Sequence, residues 1–283
     1  MKEEKDDWTI VIQSETGIFN VNFREIWQYR DLLLIFIRRE LVAVYKQTLL
    51  GPLWFFIQPL LTTFVYAFVY GGIAGIPTDG KPRLLFYLSG IVLWSYFSEC
   101  LISTSNTFIT NAAIFGKVYF PRIILPLSKI ISSLVKMFIQ LLLLVVAYII
   151  YVALGKYTFH VSPDILTLPI LVIIMANLGL GLGMIVTSMT VKYRDLQYLV
   201  VFGVQLLMFA APVIYPLSRF KGTMLTLFKL NPITAVIETF RASVLGGTTD
   251  WQLLAYSFTV SCALLVIGFL IFNKVERSFI DTV

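Results

Sequence analysis

Six separate stretches of this chain run for about twenty residues or more with very little charge, at approximately 53–75, 84–108, 122–153, 165–190, 197–216 and 252–273. A helix rises about 1.5 Å per residue, so about 20 apolar residues cross the roughly 30 Å hydrocarbon layer of a bilayer. Lipid offers backbone N–H and C=O groups no partner, so every such stretch must be helical. Composition agrees: 58% of the 283 residues are hydrophobic and 13% charged, where a soluble domain carries about 25% charged. A soluble fold could not hide that much apolar surface, and a disordered or nucleic-acid-binding chain needs a far higher charge density. The expected fold class is therefore an all-α integral membrane protein with six transmembrane helices.

An even number of crossings puts both termini on one side. If the N-terminal side is the cytoplasm, thirteen of the 22 Lys and Arg residues lie there, seven lie opposite, and Lys129 and Lys136 fall within span three. Positive charge accumulates on the cytoplasmic side of membrane proteins, so both ends are expected in the cytoplasm and the +6 net charge is expected to face lipid headgroups. The first twenty residues open MKEEKDD without a continuous apolar core and are not expected to form a cleavable signal peptide.

Three regions differ from plain spans. Residues 1–22 form a polar N-terminal extension. Residues 23–50 mix Ile26, Trp27, Leu33, Phe36 and Leu41 with Arg24, Arg30, Arg38, Arg39 and Lys46, the pattern of an amphipathic interfacial helix with aromatics toward acyl chains and arginines toward headgroups. The six-span domain then occupies 51–283. Within it, Pro121 to Leu154 would reach about 50 Å as a helix, so span three is expected to project into the cytoplasm, with Lys136 at the boundary and Lys129 beyond it. Residues 216–250 are too apolar for a solvated loop and too interrupted by Pro216, Gly222, Pro232 and Gly246-Gly247 to span. Two short re-entrant helices fit, the second capped by Asn231, begun by Pro232 and ended by Gly246.

Several apparent motifs carry no chemistry. Gly75-Ile76-Pro77-Thr78-Asp79-Gly80-Lys81 matches seven positions of a phosphate-binding loop, but Pro82 stands where Ser or Thr must hold magnesium, and the segment joins two spans. Gly179-Leu180-Gly181-Leu182-Gly183 and Gly71 to Gly75 read as small residues that let helices approach closely. Asp6-Asp7 has no second acidic motif, Cys100 and Cys262 lie in apolar runs, and His160 is the single histidine. No metal site is expected in this chain, nor catalytic residues.

Glu99, inside span two, is the notable polar residue, because a carboxylate at membrane depth is costly and turns toward protein or water. It can pair with Lys129 or Lys136, lie solvated near headgroups, or handle substrate or protons directly. Aromatics make up 15% of the chain, more than two interfacial belts require. Tyr66 and Tyr70 share a face at i, i+4, and Trp94 and Phe97 at i, i+3. These four are candidate channel residues, over which sugar rings could slide; lipid-facing packing is the plainer alternative.

The run from Arg39-Glu40-Leu41 through Leu50-Gly51-Pro52-Leu53-Trp54 to Gln58-Pro59 resembles the lead-in to span one of type-2 ABC exporter permeases for lipid-linked polysaccharides, the O-antigen, capsule and teichoic acid exporters. Phe120-Pro121-Arg122 with Leu125-Pro126, Lys192-Tyr193-Arg194-Asp195-Leu196 and Asn231-Pro232 extend the similarity in order along nearly the whole chain. The resemblance implies a homodimer of six-span subunits in the bacterial cytoplasmic (inner) membrane, joined by two copies of a separate ABC ATPase that binds ATP and magnesium, with a channel along the dimer axis. It implies gate helices between spans five and six. It also implies ATPase coupling through the amphipathic helix and the loop from Thr110 to Pro121, with Ile114, Phe115, Lys117, Tyr119, Phe120 and Arg122, and through Arg194 and Asp195. An undecaprenyl-type carrier would then leave its pyrophosphate near Arg38 and Arg39, whose plainer role is phospholipid anchoring. A stand-alone channel or secondary carrier, or a membrane-bound lipid–glycan enzyme, are the alternatives.

Overall fold

The computed structural model describes residues 27–46, 48–115, 120–190, 193 and 195–280, and among them the chain is helix and connecting loop without strands. Helix α1 (Arg30–Tyr45) precedes a short 3-10 turn, Gly51–Leu53. Gly51 takes φ +54° there and donates its N–H to Thr48 Oγ1 at 3.1 Å. This left-handed geometry suits glycine and redirects the chain into α2 (Trp54–Tyr66). Pro59 lies inside α2, and from Ala67 to Ile73 the helix widens into π-helical turns. Proline deletes one rung of the hydrogen-bond ladder.

Helix α3 (Arg83–Ser105) starts after Pro82 and is followed by α4 (Thr107–Phe115). The first half of the expected Thr110–Pro121 loop is thus helical, carried by hydrogen bonds such as Thr110 N–H to Asn106 O at 3.0 Å. Helix α5 (Ile124–Ala153) has 30 residues and ends at Gly155 with φ +65°. A 3-10 turn, Pro163–Thr167, leads into α6 (Leu168–Thr190), with the Asp164 N–H donating to Ser162 Oγ.

The fifth apolar stretch is shorter than its sequence suggests. Helix α7 spans Leu196–Phe209, 14 residues, or about 21 Å. Pro212 explains the early stop, since the residue before a proline is pushed out of the helical region. Among the described residues, five other segments are long and apolar enough to cross a membrane: Gly51–Ile73, Arg83–Ser105, Ile124–Ala153, Pro163–Thr190 and Trp251–Val275.

Between α7 and α10 (Trp251–Ile280) lie two short helices, α8 (Gly222–Leu230) and α9 (Pro232–Leu245), in the region expected to be re-entrant. Asn231 Oδ1 accepts from the Ile233 N–H at 3.1 Å, Pro232 occupies the first turn, and Gly246 at φ +76° terminates α9. No residue of α8 is buried, whereas α9 is buried along nearly its whole length against α3 and α10.

Helix α3 is the central element: 78% of its most apolar stretch is buried inside the chain's own fold, against 11% for the segment Gly51–Ile73 that contains α2. Helix α6 packs most extensively against α3 and α10, and its glycines are the reason. A Cβ at Gly179 would stand 2.6 Å from Cys100 Cβ, one at Gly183 2.6 Å from Thr104 Cβ, and one at Gly181 2.7 Å from the Leu264 backbone. Across that last contact, a Cβ at Gly268 would fall 2.3 Å from Gly181 O. Gly71 and Gly75 do not act this way: Gly71 faces the Arg83 side chain, and Gly75 has φ +60° with open space around it.

Since backbone cannot yield as a side chain can, Gly181→Ala is expected to cost about 1–3 kcal/mol through overpacking and to lower the detergent unfolding temperature by several degrees. Gly203→Ala, whose Cβ would meet nothing within 4 Å, is expected to leave it unchanged. A thermal melt of both variants checks the contrast.

Candidate functional site

Four helices carry polar residues at helical spacing, and these stripes converge on one groove of about 690 Å³. Helix α2 supplies Gln58, Thr62 and Tyr66, and α3 supplies Ser95, Ser98, Glu99 and Ser103. Lys136 and Gln140 come from α5, and Gln205 with Met208 from α7. The i, i+3 and i, i+4 intervals put each set on one helix face. The outward faces carry exposed large apolar residues, such as Leu61 and Phe64 on α2, and Phe138, Leu142 and Val145 on α5. This is the arrangement expected when polar groups at membrane depth must face protein or water.

Lys136 Nζ donates to Glu99 Oε1, which selects one of the two partners open to Glu99 in the sequence. The other, Lys129, pairs elsewhere. Gln140 Oε1 is buried without a hydrogen-bond partner. Of the four candidate channel aromatics, Tyr66 and Trp94 line the groove. Tyr66 packs edge-on against Tyr70, with ring centroids 5.3 Å apart, and its hydroxyl reaches Met208 Sδ at 3.3 Å. Phe97 is fully buried and tilted against Trp94 at 5.5 Å. It faces the interior of the helix bundle, on the side of α3 where Gly179 approaches. Trp54 and Phe55 complete the aromatic part of the lining.

A second polar cluster sits where α1 meets α4 and α5. Glu40 accepts from Lys129 Nζ at 2.6 Å and from Arg39 Nη2 at 3.1 Å. The same Arg39 nitrogen donates to Asn111 Oδ1 at 2.9 Å, and Asn111 Nδ2 donates to Thr107 O. Burial by itself raises the Glu40 carboxyl pKa, but the Lys129 and Arg39 cations outweigh it and hold the group below its ordinary 4.5. Beneath this network Phe36 tilts against Phe120 at 5.8 Å, with Ile124, Leu125 and Ile114 around them. Ile114 and Phe120 therefore pack against α1. Arg38 and Asp195 are exposed, and Arg122 begins the turn into α5. The Phe115 side chain, and Lys117, Tyr119 and Arg194 altogether, lie outside the described residues.

Sequence reasoning missed Arg241, which reads as an ordinary loop charge. It is 2% exposed in α9, with Nη1 donating to Glu238 Oε1 at 2.8 Å and Nη2 to Val213 O at 3.3 Å. Its guanidinium lies 3.8 Å from the centre of the Phe86 ring on α3, a cation–π contact strengthened by desolvation. The i, i+3 Glu238–Arg241 pair amid small and apolar residues was the available signal. Lys81, in the phosphate-loop-like segment, has its pKa pushed down by burial and by Arg241, and its N–H closes a tight turn onto Thr78 O at 3.0 Å.

Residues 31–245 match the family of ABC-2 type transporters. The chain is 24% identical over 251 residues to the O-antigen export system permease protein RfbA of Klebsiella pneumoniae, covering 89% of this chain and 94% of that one. It is 31% identical over 222 residues to the O-antigen export system permease protein RfbA of Myxococcus xanthus, covering 77% and 82% respectively.

A carboxylate with a depressed pKa stabilises the fold fully above its unfolded value and loses that contribution as pH falls through the native one. The attachment of α1 to α5 is therefore expected to loosen only below about pH 4.5 in the wild type and to be weak at every pH in Glu40→Gln. Hydrogen exchange of the α1 amides against pH reads this out.

Proposed function

Because the chain belongs to the ABC-2 type transporter family, we propose that it is the permease subunit of an ATP-driven exporter that moves undecaprenyl-linked polysaccharide of O-antigen type outward across the cytoplasmic membrane. Two copies form the conduit, and two copies of a separate ATPase hold ATP and magnesium and drive it. The observation that carries this reading is the groove: four spans turn amides, hydroxyls and aromatic rings inward at a depth where their other faces are greasy. A hydroxyl-rich chain needs such a wall, with polar groups to replace water and flat rings along which sugars slide. The relatives' names, both O-antigen export permeases, support the same cargo.

In this reading α7 makes the sixth crossing despite its length. It starts beside the end of α6, its Met208 meets Tyr66 near the far end of α2, and Asn231 Nδ2 binds Ala210 O as the chain turns into the segment before α8. Both termini then lie in the cytoplasm, and α8 and α9 form the outer mouth. The carrier lipid passes beside the little-buried α2, and its pyrophosphate meets Arg38 and Arg39.

ATPase motion enters through α4 and the residues after it, where Phe115, Lys117, Tyr119 and Arg122 form the contact surface together with Arg194 and Asp195. Ile114 and Phe120 pack on Phe36, so α1 moves with this surface, and the Glu40–Lys129 ion pair hands the displacement to α5.

Purified with its ATPase and placed in liposomes, the subunit is expected to give ATP hydrolysis stimulated by lipid-linked glycan, and none by itself. Hydrolysis by the subunit alone, or a glycan-independent rate in the complex, overturns the reading. Arg39 also holds Asn111, so Arg38→Gln isolates pyrophosphate attraction: it is expected to raise the glycan concentration needed for half-maximal stimulation several-fold, with little change in the unstimulated rate.

A further inference from the structure

The groove's charges constrain its cargo more narrowly than export alone does. Apart from Glu99 and Lys136, every side chain that lines it is uncharged. Those two neutralise each other, but not symmetrically toward the groove. The Glu99 side chain is 38% exposed and that of Lys136 only 18%. The ion pair engages Glu99 Oε1 and leaves Oε2 outside it. The surface offered to a passing chain is thus a carboxylate, with the one cation among the described lining residues already committed.

Around that carboxylate the other polar groups suit hydroxyls. Gln140 Oε1 is a buried acceptor that the protein leaves unmatched, and Gln58, Gln205 and Ser98 can each donate or accept. Sugar hydroxyls donate to carboxylates in charge-assisted hydrogen bonds, roughly twice as strong as neutral ones. A phosphodiester or uronate repeat instead brings a negative charge into a low-dielectric wall, where it needs a free cation. Arg38, Arg39 and Lys81 do not line the groove.

We infer that the groove is built for an uncharged, hydroxyl-rich polymer, and that Glu99 is the residue that turns polyanionic chains away; this rests on the transport reading above. Glu99 thereby sets specificity among lipid-linked polymers of equal length and equal carrier.

The test compares two lipid-linked probes in liposomes that hold the complete permease–ATPase complex: a neutral hexose homopolymer and a poly(glycerol phosphate) of matched length. The neutral probe is expected to stimulate ATP hydrolysis at least about tenfold more than the polyanion, since like-charge juxtaposition disfavours a wrong partner by more than that factor. Glu99→Gln frees Lys136 and is expected to raise the polyanion-to-neutral ratio about tenfold by the same reasoning. Glu99→Gln combined with Lys136→Gln removes both charges and is expected to return the ratio toward the wild-type value. Equal stimulation of the wild-type complex by both probes overturns the charge inference and leaves the transport reading standing. A ratio unmoved by Glu99→Gln removes Glu99 from the selection. Stimulation by neither probe overturns the transport reading itself.

Discussion

Close backbone contact between α3, α6 and α10 is the constraint on which the other features depend. Lipid tails are as apolar as leucine, so helices in a bilayer associate through van der Waals fit rather than through escape from water. Gly179 and Gly183 let α6 touch the face of α3 that carries Phe97, Cys100, Leu101 and Thr104, while Gly181 lets α10 touch the other side of α6. With 3.6 residues per turn, the face of α3 opposite that contact carries Ser95, Ser98, Glu99 and Ser103. Fixing α3 by its glycine-facing side therefore fixes which residues open on the groove. The polar stripe is displayed because the apolar one is clamped.

Charges at this depth follow the same economy of partners. A carboxylate or ammonium at the centre of a bilayer costs about 2.5–3.5 kcal/mol on insertion scales, and a buried cation without its anion costs more than the pair recovers. Three cations among the described residues accordingly have a partner on another element or one turn away: Lys136 has Glu99, Lys129 has Glu40, and Arg241 has Glu238. Arg241 goes further, because its second nitrogen holds Val213 O and its plane covers Phe86. One side chain thus ties the helix before the last span to both the α7 exit and the central helix.

Features set by local chemistry were legible in the sequence. Apolar length located five long segments, Asn231-Pro232 and Gly246 bracketed α9, the α6 glycines read as contact points, and an unpaired Glu99 pointed to the lysines of the next span. Features set by tertiary direction were not. The i, i+3 spacing of Trp94 and Phe97 says that the rings are neighbours, but not that one opens on the groove while the other is buried against α6. Hydropathy continues past Pro212, so the end of α7 at Phe209 is invisible to an apolar count although the proline announces it locally. Likewise the small apolar knob at Ile114 and Phe120 reads as free surface, because nothing in the sequence reveals that Phe36, some eighty residues earlier, lies against it. Arg241 was hidden for the opposite reason: a lone arginine near a glycine pair looks solvated until the helix around it is known to be buried.

In the proposed transport cycle the two ion pairs on α5 carry inner motion to the groove. Lys129 and Lys136 are one heptad apart, so they lie on nearly the same face, separated by about 10 Å along the axis. The first is held by Glu40 of α1 and the second by Glu99 of the central helix. Between them α5 is continuous helix without proline or glycine, so the segment moves as a rod. On this proposed route a push on the surface around α4 displaces α1 through the Phe36–Phe120 contact and the Arg39–Asn111 bond. Glu40 then pulls Lys129, and the rod delivers that pull to Lys136 while α3 stays clamped by α6. The element that yields is the contact between α5 and the groove face of α3, where the ion pair and the amide wall meet. The proposed coupling route and the proposed cargo selection therefore converge on Glu99: the carboxylate assigned to face the polymer is also the one paired to α5.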